Sequence, residues 1–405
     1  MTKARRTTRS IPFLPLLVLV VAVVAFLIWG LPYFLLPSPV QTGIGGGFGS
    51  ETFSAEVEAI IEEGTVTLGE VTQPYQVMRV RVLEGPYQGV LFEVEYGKRQ
   101  IRQEGITFRP GDRILVAISK RPDGFVNAYF VDYVRTPQLL ILALVFVAAI
   151  LITGRWKGLR SLLSMGFSLL VIIAYIIPHI LNGEDPVQVS IIGSSILLAV
   201  TLYLTYGWNL KTHSAVAGML IVLLITGSLA WLFVHLARLT GMGDENAMFL
   251  MQMSGVRVNL RGLLLGGMII GALGVLDDLV TTQASAVFEL HATDKRLGFR
   301  ALYERAMRIG QDHIAATVNT LVLAYAGASL PMLLLFSLGE GKIGQLINFS
   351  LVAEEIVRTL VGSLGLIAAV PITTALAAAL ALYHEHLGGL RPWLGPANAG
   401  DGHVH

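Results

Sequence analysis

The sequence predicts an α-helical polytopic membrane protein of about eight transmembrane helices, carrying a small β-rich extracytoplasmic domain, OB-like or a sandwich. Three observations predict it. The 405-residue chain is 54% hydrophobic and only 14% charged, where soluble chains carry about a quarter charged residues. Apolar runs recur near the length of about 20 residues that spans a bilayer core of ~30 Å as a helix. Between the first run and the rest, residues 51–135 change to a period of two.

The first run, Ile11 to Leu36, follows Lys3, Arg5, Arg6 and Arg9. It is longer than a secretory apolar region and has no small-x-small cleavage site after it, so it reads as an uncleaved anchor. Residues 1–41 are then a cytoplasmic N-terminus with its first span. Glycines from Gly43 to Gly49 make a flexible linker.

Residues 42–136 form the β-rich domain. Met78, Val80 and Val82 alternate with Arg79 and Arg81, and Val90, Phe92 and Val94 with Glu93 and Glu95. Such alternation marks strands with one wet face. Gly85-Pro86, Arg109-Pro110-Gly111-Asp112 and Pro122-Asp123-Gly124 are turn signals between them. The glutamates and arginines read as a solvated face, and no catalytic constellation is visible.

Residues 137–385 hold seven further apolar segments, about 137–153, 159–181, 188–206, 213–236, 261–286, 313–337 and 359–382. Basic residues favour cytoplasmic loops. Arg155, Lys157 and Arg160, then Lys211, then Lys295, Arg296, Arg300, Arg305 and Arg308 fall on one side, which places both termini in the cytoplasm. The stretch 291–311 has two readings, an amphipathic helix on the inner leaflet or a solvated loop. Residues 386–405 read as a disordered cytoplasmic tail, and His403 and His405 within it are not assigned a metal.

Ionisable groups inside a membrane are costly and call for a reason. In the sixth segment Gly267, Gly271, Gly274, Asp278, Thr281, Ser285 and Glu289 recur at steps of three and four and share a face. Its glycines suit close helix packing, and its lower part is polar. Asp277 points about 100° away from Asp278. Asp312, Thr317 and Asn319 lie on the seventh segment, and Glu354 with Arg358 makes an i, i+4 pair before the eighth.

The run Gly310-Gln311-Asp312-His313-Ile314-Ala315-Ala316-Thr317-Val318-Asn319-Thr320 resembles the hallmark segment of the YibE/F family, as does Asp277-Asp278-Leu279-Val280-Thr281-Thr282-Gln283. The stretches around Lys157-Gly158-Leu159, Ile177-Pro178 and Val370-Pro371-Ile372-Thr373-Thr374 resemble it too. The resemblance implies a bacterial multi-pass plasma-membrane protein and leaves the biochemical activity open.

Function therefore rests on the polar residues. The leading expectation is a permease or channel-like transporter of a small ion or solute through helices six to eight, with Asp277, Asp278, Thr281, Ser285, Asp312, Thr317 and Asn319 along the pathway. No P-loop is present, so no nucleotide drives it directly. A second reading is a non-transporting scaffold or envelope-assembly factor whose outer domain docks a partner. A third, an intramembrane aspartyl hydrolase, needs two carboxylates sharing a proton; Asp312 sits too near the water boundary, so no enzyme is predicted. No cofactor or metal site is read, and with a net charge of +1 nucleic acid is excluded as a general partner. The lipid bilayer, a homo-oligomer or partner membrane protein, and a small ion or solute are the expected partners. The absence of cysteine excludes disulfides and thiol chemistry.

Overall fold

The computed structural model describes residues 52–99, 105–120, 126–252, 258–338 and 343–384. The first apolar run, the Gly43–Gly49 linker, the Pro122–Gly124 turn and the tail lie outside the described residues. The chain divides into two compact units, Pro37–Ala149 and the residues from Ile150 onward.

The first unit is built on one sheet. Strands β1 (Thr52–Leu68), β2 (Val71–Val82), β3 (Leu91–Tyr96), β4 (Arg113–Lys120) and β5 (Val126–Tyr133) pair in the order β3-β2-β1-β4-β5. All four pairings are antiparallel. Strand β1 pairs with β2 along most of its length and with β4 only over Thr52–Glu56. Register shifts at Val57/Ala59 and Ile60/Glu62 let it bend between these duties. The sheet curls until β3 and β5 lie alongside each other. A single curled sheet is therefore present rather than two stacked ones.

The alternation read from the sequence sets which face is inside. Met78, Val80 and Val82 are buried while Arg79 and Arg81 are exposed. They join Ala55, Val57, Val94, Ile114 and Val116 in a core of the unit's own. Val90 departs from its expected inward position: it is exposed and precedes β3. At Gly85 φ is +78°, and the Phe53 ring fills the place a Cβ would take. Only glycine suits that turn.

The second unit is helical. It takes in the later part of α1 (Thr136–Val171), a π-helical turn (Ile172–Ile176), α2 (Ile177–Leu181), α3 (Pro186–Tyr206), α4 (Leu210–Leu236) and α5 (Glu245–Gln252). There follow α6 (Leu260–Thr293), α7 (Phe299–Ala328), α8 (Leu330–Leu338), α9 (Ile343–Leu346) and α10 (Ser350–Tyr383). Asp185, Asn209 and Asn259 cap α3, α4 and α6 by accepting backbone N–H bonds, which satisfies donors left open at each helix start.

Five described helices are long and apolar enough to cross a membrane by length and composition: Thr136–Leu181, α3, α4, α6 and α10. The expected count of about eight is not reproduced, for three reasons. Segments 137–153 and 159–181 fall within one helical stretch, interrupted at Arg155, where φ is 48° and ψ −123°. The turn there is so tight that the Ile150 carbonyl oxygen stands where a Gly158 Cβ would be. Segment 313–337 is split at Ser329 between α7 and α8, and α7, with Asp312, His313 and Asn319 in it, is too polar to qualify. Segment 11–36 lies outside the described residues.

Stretch 291–311 forms the end of α6 and the first turns of α7. Leu302, Ala306 and Gly310 are buried, and Arg300, Arg305 and Arg308 face outward. The amphipathic pattern is real, but its apolar side is covered by protein, since Leu302 and Ala306 belong to the main helical core.

Helices α4, α6 and α10 pack most extensively, and they do so through small residues. A Cβ at Gly365 would overlap Thr226, and one at Gly218 would lie 2.7 Å from Thr373 Oγ1. On α6 the close approach is at Gly266, against Ser190 of α3. Gly267 and Gly274, expected to pack, have no neighbour within 4 Å, and Gly271 meets only the Tyr325 hydroxyl at 3.9 Å. At these three positions the face predicted for packing is open among the described residues, while the neighbouring Gly266 takes the close contact.

Candidate functional site

Asp277 and Asp278 lie near the middle of α6, a 34-residue helix. At ~1.5 Å per residue each is some 25 Å from either end. The two carboxylates diverge as helix geometry requires. Asp278 is exposed, while Asp277 is partly buried and lines a cavity of about 360 Å³.

That cavity lies between the later part of α1, α3 and α6. Ser161, Ser164 and Ser168 line it from α1, at spacings of three and four; Thr201, Thr205 and Tyr206 line it from α3. Ile172, Leu197, Leu198 and Leu273 supply apolar wall. None of its lining residues is basic. The Asp277 carboxylate has no ion pair or hydrogen-bond partner among the described residues.

The hydroxyls around it are oriented by their helices. Ser164 Oγ donates to the Thr201 carbonyl at 3.4 Å, Ser168 Oγ to the Ser164 carbonyl at 3.1 Å, and Thr201 Oγ1 to the Leu197 carbonyl at 2.7 Å. Thr281 Oγ1 lies 2.9 Å from the Asp277 carbonyl oxygen and 3.3 Å from the Tyr206 hydroxyl, tying α6 to α3 just beside the cavity.

A second cavity, about 280 Å³, lies farther toward the start of α6. Gly267 and Ile270 line it, with Ile176, Ser190, Glu354 and Arg358. Ile270 lines both cavities. The π turn contributes to both as well, Ile172 to one and Ile176 to the other. Its cause is local. Pro178 has no N–H for the Ala174 carbonyl, and the Ile177 N–H reaches back five residues to the Ile172 carbonyl.

Other predicted pathway residues stand elsewhere. Asp312 and Asn319 are exposed and Thr317 half-buried on α7, and none of the three lines the Asp277 cavity. Ser285 donates back to the Thr281 carbonyl at 2.8 Å. Helices α6, α7 and α10 do meet, but at a packed polar node. Gln283, 2% exposed, donates to the Ala306 carbonyl at 3.0 Å and to Thr374 Oγ1 at 2.7 Å. Gly310 admits Val370 and Gln283 at the same crossing. A buried amide satisfied from two other helices fixes their register, since leaving it unpaired would cost about 1–3 kcal/mol.

Glu354 also differs from expectation. Its carboxylate accepts from the backbone N–H groups of Gly241 at 3.0 Å and Gly243 at 3.3 Å, pinning the loop after α4 onto α10. Arg358 instead has Nη1 3.8 Å from Glu355 Oε2.

Sequence reasoning missed Ser161, Ser164, Ser168, Thr201 and Thr205. A signal was present, because on each helix these hydroxyls recur at three- and four-residue steps. Gln283 was visible only as a polar letter in an apolar run.

Apolar side chains face outward along these helices, among them Ile152, Leu224, Trp231 and Leu236, each more than half exposed. Together with the five span-length helices they define a multi-helix membrane protein, and its helical part holds a cavity with both hydroxyl and apolar lining. The family model described as YibE/F-like protein matches residues 142–382. The chain belongs to that family. No curated protein and no solved structure matches it.

Proposed function

We propose that this chain is a transporter that moves a small ion or solute across the bacterial plasma membrane, past Asp277. One observation carries the reading: a carboxylate in mid-helix, without a partner among the described residues, beside a cavity lined by hydroxyls. Withdrawing a charge from water without a partner is costly, and no structural contact among the described residues accounts for this one. A wet cavity that receives a substrate accounts for it.

On this reading the two cavities are stretches of one path along α6. Ile270 and the π turn separate them, and a π turn is a local irregularity that recurs at functional sites. The path runs along α6 between the third and fourth apolar segments, with Glu354 and Arg358 at the start of α10 lining its second stretch. The seventh segment lines neither cavity. The curled five-stranded sheet is an OB-type barrel placed outside the cytoplasm, with both termini inside.

The test is flux in sealed proteoliposomes. Gradients of sodium, potassium, protons and small organic solutes are applied across vesicles with and without the protein. At least one should dissipate faster with the protein present. Equal rates for every gradient would remove the transport reading and favour a scaffold that docks partners through the barrel.

A further inference from the structure

We infer that the Asp277 cavity binds one alkali cation, with the carboxylate as counter-ion and hydroxyl oxygens as neutral ligands. The inference deepens the transport reading and rests on it for its meaning, but concerns binding alone.

Charge comes first. The cavity offers a single carboxylate, and none of its lining residues is basic. A monovalent cation is neutralised one for one. A divalent ion would leave one positive charge uncompensated in the cavity, and an anion would face the carboxylate directly.

The direction of the hydroxyl dipoles points the same way. Ser164, Ser168 and Thr201 each give their proton to a main-chain carbonyl. A hydroxyl has one proton and two lone pairs, so these three have lone pairs left to offer and no proton. These three therefore present oxygen lone pairs to a cation, while Ser161, Thr205 and Tyr206, with no donated bond among the described residues, keep both roles. The bias against an anion comes from the carboxylate. Hydroxyl and carboxylate oxygens are hard ligands, which suit alkali ions better than soft transition metals.

Size sets the expected selectivity. With ~30 Å³ per liquid water, a cavity of about 360 Å³ holds on the order of ten waters. The ion therefore keeps part of its hydration shell, and discrimination among alkali ions is weak.

The experiment measures the thermal unfolding midpoint of the purified full chain in detergent at constant ionic strength. Sodium, lithium or potassium chloride replaces choline chloride in one series, and magnesium chloride and choline phosphate are separate arms. The expected result is a dose-dependent rise with at least one alkali chloride, absent with phosphate and weaker with magnesium. Asp277→Asn should raise the concentration needed by about tenfold or more, and Ser168→Ala by a smaller factor. If Asp277→Asn does not fold, the Ser168→Ala shift decides. A response to phosphate or magnesium alone, to pH with no alkali effect, or one unchanged in these variants would overturn the inference. Such a result leaves flux of some other solute intact, so the two failures are distinguishable.

Discussion

Asp277→Asn should abolish flux while leaving the protein folded, and Asp278→Asn should leave both unchanged. The substitution keeps the side chain's volume and removes only its charge. Because no ion pair among the described residues holds Asp277, no partner is stranded when the charge goes; stranding a buried partner would cost about 3–5 kcal/mol. Thermal stability should accordingly hold or rise. Asp278 is exposed one position on and lines none of the Asp277 cavity, so its replacement should matter little. Flux in reconstituted vesicles and the unfolding midpoint are measured on both variants. Loss of flux in the Asp278 variant alone would assign the pathway to the other face of α6.

The second large effect concerns packing, and it reverses what the sequence suggests. Gly365→Val and Gly218→Val should each lower the unfolding midpoint, since the added carbons meet Thr226 and Thr373 at the α4–α10 contact. Overpacking a close contact costs typically about 1–3 kcal/mol, and both sites sit against fully or nearly fully buried threonines. Gly267→Ala should instead be neutral or stabilising by up to about 1 kcal/mol, because open space surrounds that position and alanine favours helix over glycine. Equal losses at Gly267 and Gly365 would show that the glycine face of α6 packs after all.

These contrasts mark what could be read from the residues. Strand alternation at Met78, Val80 and Val82 revealed the buried face of the sheet, because period two is a local property. The long apolar runs revealed helices for the same reason. The cavity was harder. Asp277 and Asp278 were both visible, but which one lines the cavity depends on where α1 and α3 approach α6, and no local pattern records that. Glycine at steps of three and four says that a neighbour could come close, not that one does; Gly267 is open and Gly266 is in contact. Glu354 and Arg358 have ideal pairing distance along a helix, yet two backbone N–H groups from a loop more than a hundred positions earlier take the carboxylate. Long-range partners of this kind override i, i+4 geometry, which contributes only about 0.2–0.5 kcal/mol.

The chain has no cysteine, so a single introduced thiol reports on one position without background. The most direct test of a wet path past Asp277 is Ser168→Cys in proteoliposomes, treated with a small charged methanethiosulfonate while flux is recorded, with Ala369→Cys in the packed core as the reference. The predicted result is rapid modification at position 168 that stops flux, with position 369 unreactive. A thiol at position 168 as inert as the one at 369, or modified with no change in flux, would contradict a pathway through this cavity.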